Sequence, residues 1–378
     1  MDQRTNGSDH GDGNGHNAET SVVKEMEFAT EERVRDVLVI GGAGFVGSVL
    51  VRELIEHGYR VTVMDALMYG DESIRDLYGR PDFDVVKGDL RSVESIVRSV
   101  KSTDAVIHLG GLVGDPACNL DEKLTQDINL HATRTIAEAA RGLGVRRMIF
   151  ASSCSVYGVG AGTVDEDSPL HPVSAYAQTK VDSEKLLLSL NNDEFSPVIL
   201  RFGTFYGLSP RPRFDLVVNM LVAKALAESE ISIFGGQQVR PFVHVRDGAR
   251  VISQCLRAPL SAVKGQVFNV GSDSENHSLA EVAEMVRAMV EGTRVNYEEA
   301  AAAEADYRVS FAKIRDRLGF ENSITLADGL LELKEALESG TIAHYLDQKY
   351  SNVKALASGD AGRLLGYRVE APDATGAA

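Results

Sequence analysis

A doubly wound parallel sheet with helices on both faces, followed by a smaller C-terminal α/β portion, is the fold the sequence predicts. Three observations carry that expectation. Short apolar, β-branched runs alternate with longer amphipathic ones through the first half of the chain. These runs are nearly continuous in apolar residues, as strands covered on both faces must be. A glycine-rich turn stands directly after the first of them, and a strand–turn–helix order repeated along a chain is the mark of parallel βαβ units.

Taken in order, residues 37–40 (VLVI) are the first strand and the amphipathic stretch 45–57 the first helix. Further strands are expected at 59–65 (YRVTVMD), 83–89 (FDVVKGD), 105–111 (AVIHLGG), 146–153 (RRMIFASS) and 197–203 (PVILRFG). Their crossovers should be right-handed. After Gly203 the alternation weakens: the Pro-rich segment 207–215 (GLSPRPRFD) leads into an apolar helix over 216–227, and later elements shorten. Two later runs, FVHVRD and QVFNVGS, are expected to return to the first sheet. The expected organisation is therefore a disordered acidic leader over 1–34 and a Rossmann-type cofactor domain over 35–203, its sheet completed by parts of 239–272. A mainly substrate-binding domain follows over 204–345, then a C-terminal tail over 346–378. The alanine-rich run 298–306 reads as an exposed loop or helix end.

Composition narrows the function classes. The 378 residues carry 39 Lys and Arg against 55 Asp and Glu, a formal charge of −16, so an electrostatic grip on a nucleic-acid backbone is not expected. No apolar run approaches the roughly 20 residues that cross a bilayer. The three cysteines, Cys118, Cys154 and Cys255, are odd in number and lack CxxC spacing, which gives neither a disulfide framework nor a zinc site. A cytoplasmic protein without metal, nucleic-acid or membrane partner is expected.

The turn GGAGFVG places Gly41, Gly44 and Gly47 between the first strand and its helix, with Phe45 and Val46 at the helix start. Such a turn aims free main-chain N–H groups and a positive dipole end at a pyrophosphate. A glycine triplet alone could be a plain turn; the strand before it, the helix after it and the acidic Asp65, 24 positions beyond Gly41, complete a dinucleotide fingerprint. A carboxylate at Asp65 accepts from a ribose diol and repels a 2′-phosphate, so NAD is expected over NADP. Alternatively Asp65 merely starts a turn. Asp89 and Leu90 close the third strand, and Leu109, Gly110 and Gly111 follow the fourth, where they would border the same cofactor.

In YAQTK, Tyr176 and Lys180 stand four residues apart in a helical run that Ser174 would cap, so they share one helix face. A phenol is a poor base at neutral pH unless nearby positive charge stabilises its anion. Lysine and an oxidised nicotinamide would supply that charge. Ser153, in the strand-end cluster ASSCSVYG, offers a hydroxyl to hold a substrate alcohol toward the base. Tyr-x-x-x-Lys also arises by chance in helices; its company here argues otherwise.

Together GGAGFVG, Asp65, GDL, HLGG, SSCSVYG, YAQTK, LRFGTFYG and RPFVHVRDGAR resemble the extended short-chain dehydrogenase/reductase family, in its NAD-dependent nucleotide-sugar epimerase/dehydratase branch, over residues 37–340. The resemblance implies that Tyr176 takes a proton from a sugar hydroxyl and NAD takes the hydride. It further implies that Lys180 tunes the tyrosine and binds the nicotinamide ribose, while Ser153 positions the oxygen. It also implies substrate contacts from Ser155, Thr204 and Arg240, with Arg240 on the nucleotide diphosphate. The family's dehydratases carry an Asp-Glu pair where this chain has Cys154 and Ser155, which points away from water elimination. In an extended segment Cys154 faces away from Ser153 and Ser155, as a buried apolar residue rather than an acid. Thr204 replaces the usual Asn, and an Arg expected near Asp306 is missing. Diphosphate binding could be rebuilt through Arg211 or Arg213, or these could be solvated loop charges. His108 and His244 read as core histidines, and Asp115, Cys118 and Asn119 as members of a loop near the nicotinamide.

The leading expectation is an NAD-dependent nucleotide-sugar epimerase working through a 4-keto intermediate. A 4-ketosugar reductase is the alternative, with a 4,6-dehydratase or a non-catalytic NAD-sensing protein behind it. A homodimer is expected, built on the amphipathic run 122–143, which could equally pack on its own sheet.

Overall fold

The computed structural model describes residues 34–299 and 306–357, apart from the side chains of residues 160 and 161. The leader over 1–33, most of the alanine-rich run and the last 21 residues lie outside that set.

The main sheet has seven parallel strands. They are β1 (Asp36–Ile40), β2 (Arg60–Asp65), β3 (Phe83–Lys87), β4 (Ala105–His108), β5 (Arg147–Ser153), Ser196–Phe202 and Val267–Val270. Read across the sheet from its late edge, the order is Val267–Val270, Ser196–Phe202, β5, β4, β1, β2, β3. Strand order therefore reverses between β1 and β4, whose registers pair Ile40 with His108. A ligand cleft is expected beyond the carboxyl ends of strands at such a reversal. The strands are continuous in apolar residues because helices cover both faces. Leu38, Ile40, Met64, Val106, Met148, Phe150 and Ile199 form one buried core with Ile96, Ile136 and Leu187 of the flanking helices. The apolar stripe of the 122–143 run is spent in the same way: Ile128, Ala132, Ile136, Ala137 and Ala140 are buried within the chain.

The late strand Val267–Val270 joins the main sheet, pairing with Ser196–Phe202. FVHVRD does not. Its first three residues end the strand Val239–His244, which pairs with Thr204–Tyr206 and Asn276–Ser278 in a separate three-stranded sheet, and its last three open a helix. Two apolar β-branched runs look alike in sequence, and the difference lies in which edge each meets. The helix that follows, Val245–Arg257, packs back against the first helix, α1 (Gly47–Glu56). A second core, with Tyr206, Leu221, Ile231, Phe242, Val286 and Leu330, holds the later elements together. The strand Val159–Val164, early in sequence, pairs with Asp306–Val309, so the chain passes between the halves repeatedly. Within the segment expected as a tail, Asn352–Ala357 is a short helix with Asn352, Ala355 and Leu356 buried.

Candidate active site

The cofactor wall starts from the turn after β1. Gly41 takes φ +82°, and a Cβ there would stand 2.7 Å from the main-chain nitrogen of Gly110. At Gly47 a Cβ would come within 2.2 Å of the Gly41 carbonyl oxygen. Only glycine lets β1, the turn and the loop after β4 approach so closely. Val46, at the start of α1, brings no side-chain cap; the Ser48 and Val49 amides bond the Gly44 and Val46 carbonyls, so an anion would be met by the amides just before them. Asp65 closes β2 and accepts from the Ala43 amide (3.0 Å) and the Leu67 amide (2.8 Å). Burial nevertheless pushes its pKa above the ordinary carboxylate value.

The helix Ala175–Ser189 begins where Ser174 accepts from the Ala177 amide at 3.2 Å. Tyr176 and Lys180 follow on one face. Lys180 is 6 % exposed, donates to the Ala151 carbonyl at 2.7 Å, and lies over the Phe150 ring. It stands 5.6 Å from the centroid of the Tyr176 ring. Burial lowers its pKa to about 8, and burial raises that of the Tyr176 phenol well above its ordinary value, against a hydrogen bond to Ser153 that lowers it. The same helix face continues to Glu184, an extension of the i, i+4 series absent from the sequence reading. Glu184 is paired with Arg201 at 2.7 Å, both almost wholly buried, and accepts from Ser152. Arg201 also donates to Tyr157 at 2.9 Å. This network ties the Ala175–Ser189 helix to β5 and its neighbour strand. A charged residue recurring on a buried helix face was the available signal.

Gly41, Gly44, Phe45, Val46, Gly47, Asp65, Asp89, Leu90, Leu109, Gly110, Gly111, Ser153, Ser155, Thr204, Tyr176 and Lys180 all line one cavity of about 450 Å³. Arg240 is not among its lining; its guanidinium lies 5.4 Å from the ring centroid of Tyr307, which is. Asp115 lines the cavity, whereas Asn119 does not and Cys118 is buried, donating to the Leu112 carbonyl. Cys154 is buried and donates to the Arg201 carbonyl at 3.2 Å. Burial raises its pKa, so it stays a thiol. His108 is 1 % exposed and bonded to Thr133 at 3.0 Å, its pKa lowered by burial to about 3. His244 is bonded to Glu332 at 2.8 Å. Both sit within the fold, away from the cavity lining.

Later in the chain, Thr204, Phe205, Arg211, Arg213, Leu216, Tyr307 and Asn352 complete the lining. Tyr69, Tyr307 and Asn352 carried no local motif, and only the folded chain brings them here.

A cavity with main-chain amides at one end and a buried hydroxyl–phenol–ammonium series at the other can move a hydride and a proton between a dinucleotide and an alcohol. That chemistry defines the short-chain dehydrogenase/reductase class. Within it the chain belongs to the NAD-dependent epimerase/dehydratase family, whose sequence profile matches residues 37–271. It is 30 % identical to the UDP-glucose 4-epimerase of Bacillus subtilis over 320 residues, covering 75 % of this chain and 91 % of that one. To the dTDP-glucose 4,6-dehydratase of Streptomyces griseus it is 29 % identical, covering 78 % and 91 %. The UDP-glucuronic acid 4-epimerase of Bacillus cereus, solved with UDP-glucuronic acid and NAD, superposes with a TM-score of 0.73 at 25 % identity, over 80 % of this chain and 99 % of that one.

The family is NAD-dependent, and the glycine cradle fits that cofactor: its closest approaches are those a Cβ would block. Among the described residues no group of acidic, His and Cys side chains could hold a metal, and no helix is long and apolar enough to cross a membrane.

Proposed function

We propose that the protein is an NAD-dependent nucleotide-sugar 4-epimerase acting through a 4-keto intermediate. The observation that carries this reading is the composition of the catalytic end of the cavity. Ser153, Tyr176 and Lys180 line it together, while the two positions after Ser153 hold a buried thiol and a hydroxyl instead of carboxylates. Elimination of water from a 4-keto sugar needs an acid and a base near carbons 5 and 6, and neither Cys154 nor Ser155 can serve. The Ser155 hydroxyl is buried without a protein partner, which leaves it free to bind a sugar oxygen. Similarity to 4-epimerases supports the same reading.

Bound NAD would supply the hydride acceptor, later the donor, and a cationic ring when oxidised. The residues of the chain handle the proton. Ser153 holds the sugar hydroxyl toward Tyr176, and the phenolate takes its proton as the hydride leaves carbon 4. The buried ammonium of Lys180 lowers the cost of that phenolate. The keto sugar then turns over in the cavity, and the phenol returns the proton as the hydride arrives on the other face, so the cycle is redox-neutral.

Purified protein given UDP-glucose or UDP-glucuronic acid should form the carbon-4 epimer without net change in NADH, read by NMR and absorbance. Consumption of added NADH with a 4-keto sugar would establish a reductase instead. Formation of a 4-keto-6-deoxy sugar would establish a dehydratase. In that case Asp115, a cavity carboxylate outside the Asp65 and Asp89 hydrogen bonds, becomes the acid to replace. A homodimer belongs to the same proposal, and light scattering at twice the chain mass would support it.

A further inference from the structure

The sequence left Arg211 open between a ligand contact and a solvated loop charge. Its side chain is 7 % exposed. It makes no ion pair among the described residues, and its Nε and Nη2 atoms are buried without a hydrogen-bond partner. Those two donors form one edge of the guanidinium, the edge with which an arginine takes two oxygens at once. Arg213, two residues on, turns the same edge to Asp215 at 2.9 and 3.1 Å. Arg211 instead lies flat on the Tyr69 ring, 3.9 Å from its centroid. Its main chain is pinned by Ser209, whose hydroxyl accepts from the Arg211 amide at 3.1 Å and donates to its carbonyl at 2.7 Å. A buried cation whose negative neighbours, Asp215 and Asp65, act on it only at a distance is costly unless an anion completes its open edge.

The position decides which anion. Tyr69 and Gly70 follow the Asp65 end of β2, and the three residues line the cavity with the glycine turn and Arg211. Arg211 is close enough to Asp65 for their charges to interact. Thr204 and Tyr307 line the same cavity with Ser153 and Tyr176, and Arg240 lies over the Tyr307 ring.

We propose that Arg211 clamps the diphosphate of the cofactor, with Tyr69 as the platform that holds its guanidinium. The turn supplies main-chain donors, and Arg211 adds a two-pronged, charged pair from the loop that also borders the substrate. The assignment rests on NAD dependence and not on which sugar reaction the protein runs.

The test titrates the full-length protein and its Arg211→Met variant, which keeps an apolar stem on Tyr69, with NADH, ADP and adenosine. NADH and ADP binding should weaken about tenfold or more, while adenosine changes by less than about twofold, because only the first two carry the diphosphate. NAD retained through purification should fall in parallel. Equal loss for adenosine, or no loss for ADP, overturns the proposal. So does a variant that holds NADH normally but loses affinity for UDP-glucose, which would place Arg211 on the substrate diphosphate. Should Arg211→Met fail to fold, Arg211→Lys keeps the charge without the two-donor edge, and the same ADP-against-adenosine difference is read from it.

Discussion

The two walls of the cavity are built by different means. The wall expected to hold the cofactor is largely main chain: the turn from Gly41 to Gly47 and the loop at Leu109 to Gly111 bring backbone together with no side chain between. The later part of the lining is side chain, drawn from Thr204, Arg211, Arg213, Tyr307 and Asn352, which the fold gathers over a span of about 150 positions. A main-chain wall tolerates little because any added atom strikes backbone. A side-chain wall can be re-specified one residue at a time.

The sharpest break of this contrast is Tyr176→Phe. It removes the one oxygen on which proton transfer depends, so turnover should fall about a thousandfold while copurified NAD stays unchanged by absorbance. Loss of NAD as well would mean that the phenol belongs to the cofactor wall. Gly47→Ala attacks that wall directly. With a Cβ forced to 2.2 Å from the Gly41 carbonyl, NAD affinity should drop on the order of a hundredfold or the protein should fail to retain it, since backbone cannot yield as a side chain does.

Behind both walls, Glu184→Gln leaves Arg201 buried without its counter-charge. Urea unfolding should show a loss of about 3 kcal/mol. Smaller effects are expected at Lys180. The unfolded chain holds this proton to the ordinary value of 10.5 and the folded protein only to about 8. Between those pH values the unfolded state binds more protons, so stability should climb with pH across that window, and Lys180→Met should flatten the climb. A midpoint that moves identically in both proteins would show that Lys180 is not the group responsible. Least severe is Leu356→Ala. This side chain is packed with Leu112, Cys118 and Ile128, beside Tyr176 and Met68. Its loss should cost about 2 kcal/mol and loosen the site, raising KM more than it lowers kcat.

Misreadings of the sequence have the same origin as the contrast between the walls. QVFNVGS and FVHVRD carry the same apolar, β-branched pattern, yet one joins the main sheet and the other pairs with Thr204–Tyr206 and Asn276–Ser278. Arg211 and Arg213 are two residues apart in one loop, and neither composition nor spacing distinguishes them. Only the neighbours do, with Asp215 taking Arg213 and Tyr69 taking Arg211. Asn352 stands in a stretch with no motif and still lines the cavity, its main-chain N–H donating to Asp215 at 2.8 Å.

What the sequence determined alone is everything that depends on neighbours along the chain. That covers the strand–turn–helix of the cofactor wall, the Ser174 cap, the shared face of Tyr176 and Lys180, and the absence of carboxylates after Ser153. These follow from backbone sterics and helical period, which act over a few residues. The tertiary structure decided which strand edges meet, which buried charges find partners, and which distant side chains close the cavity. Those outcomes turn on packing and desolvation between segments far apart in the chain, and no local pattern records them.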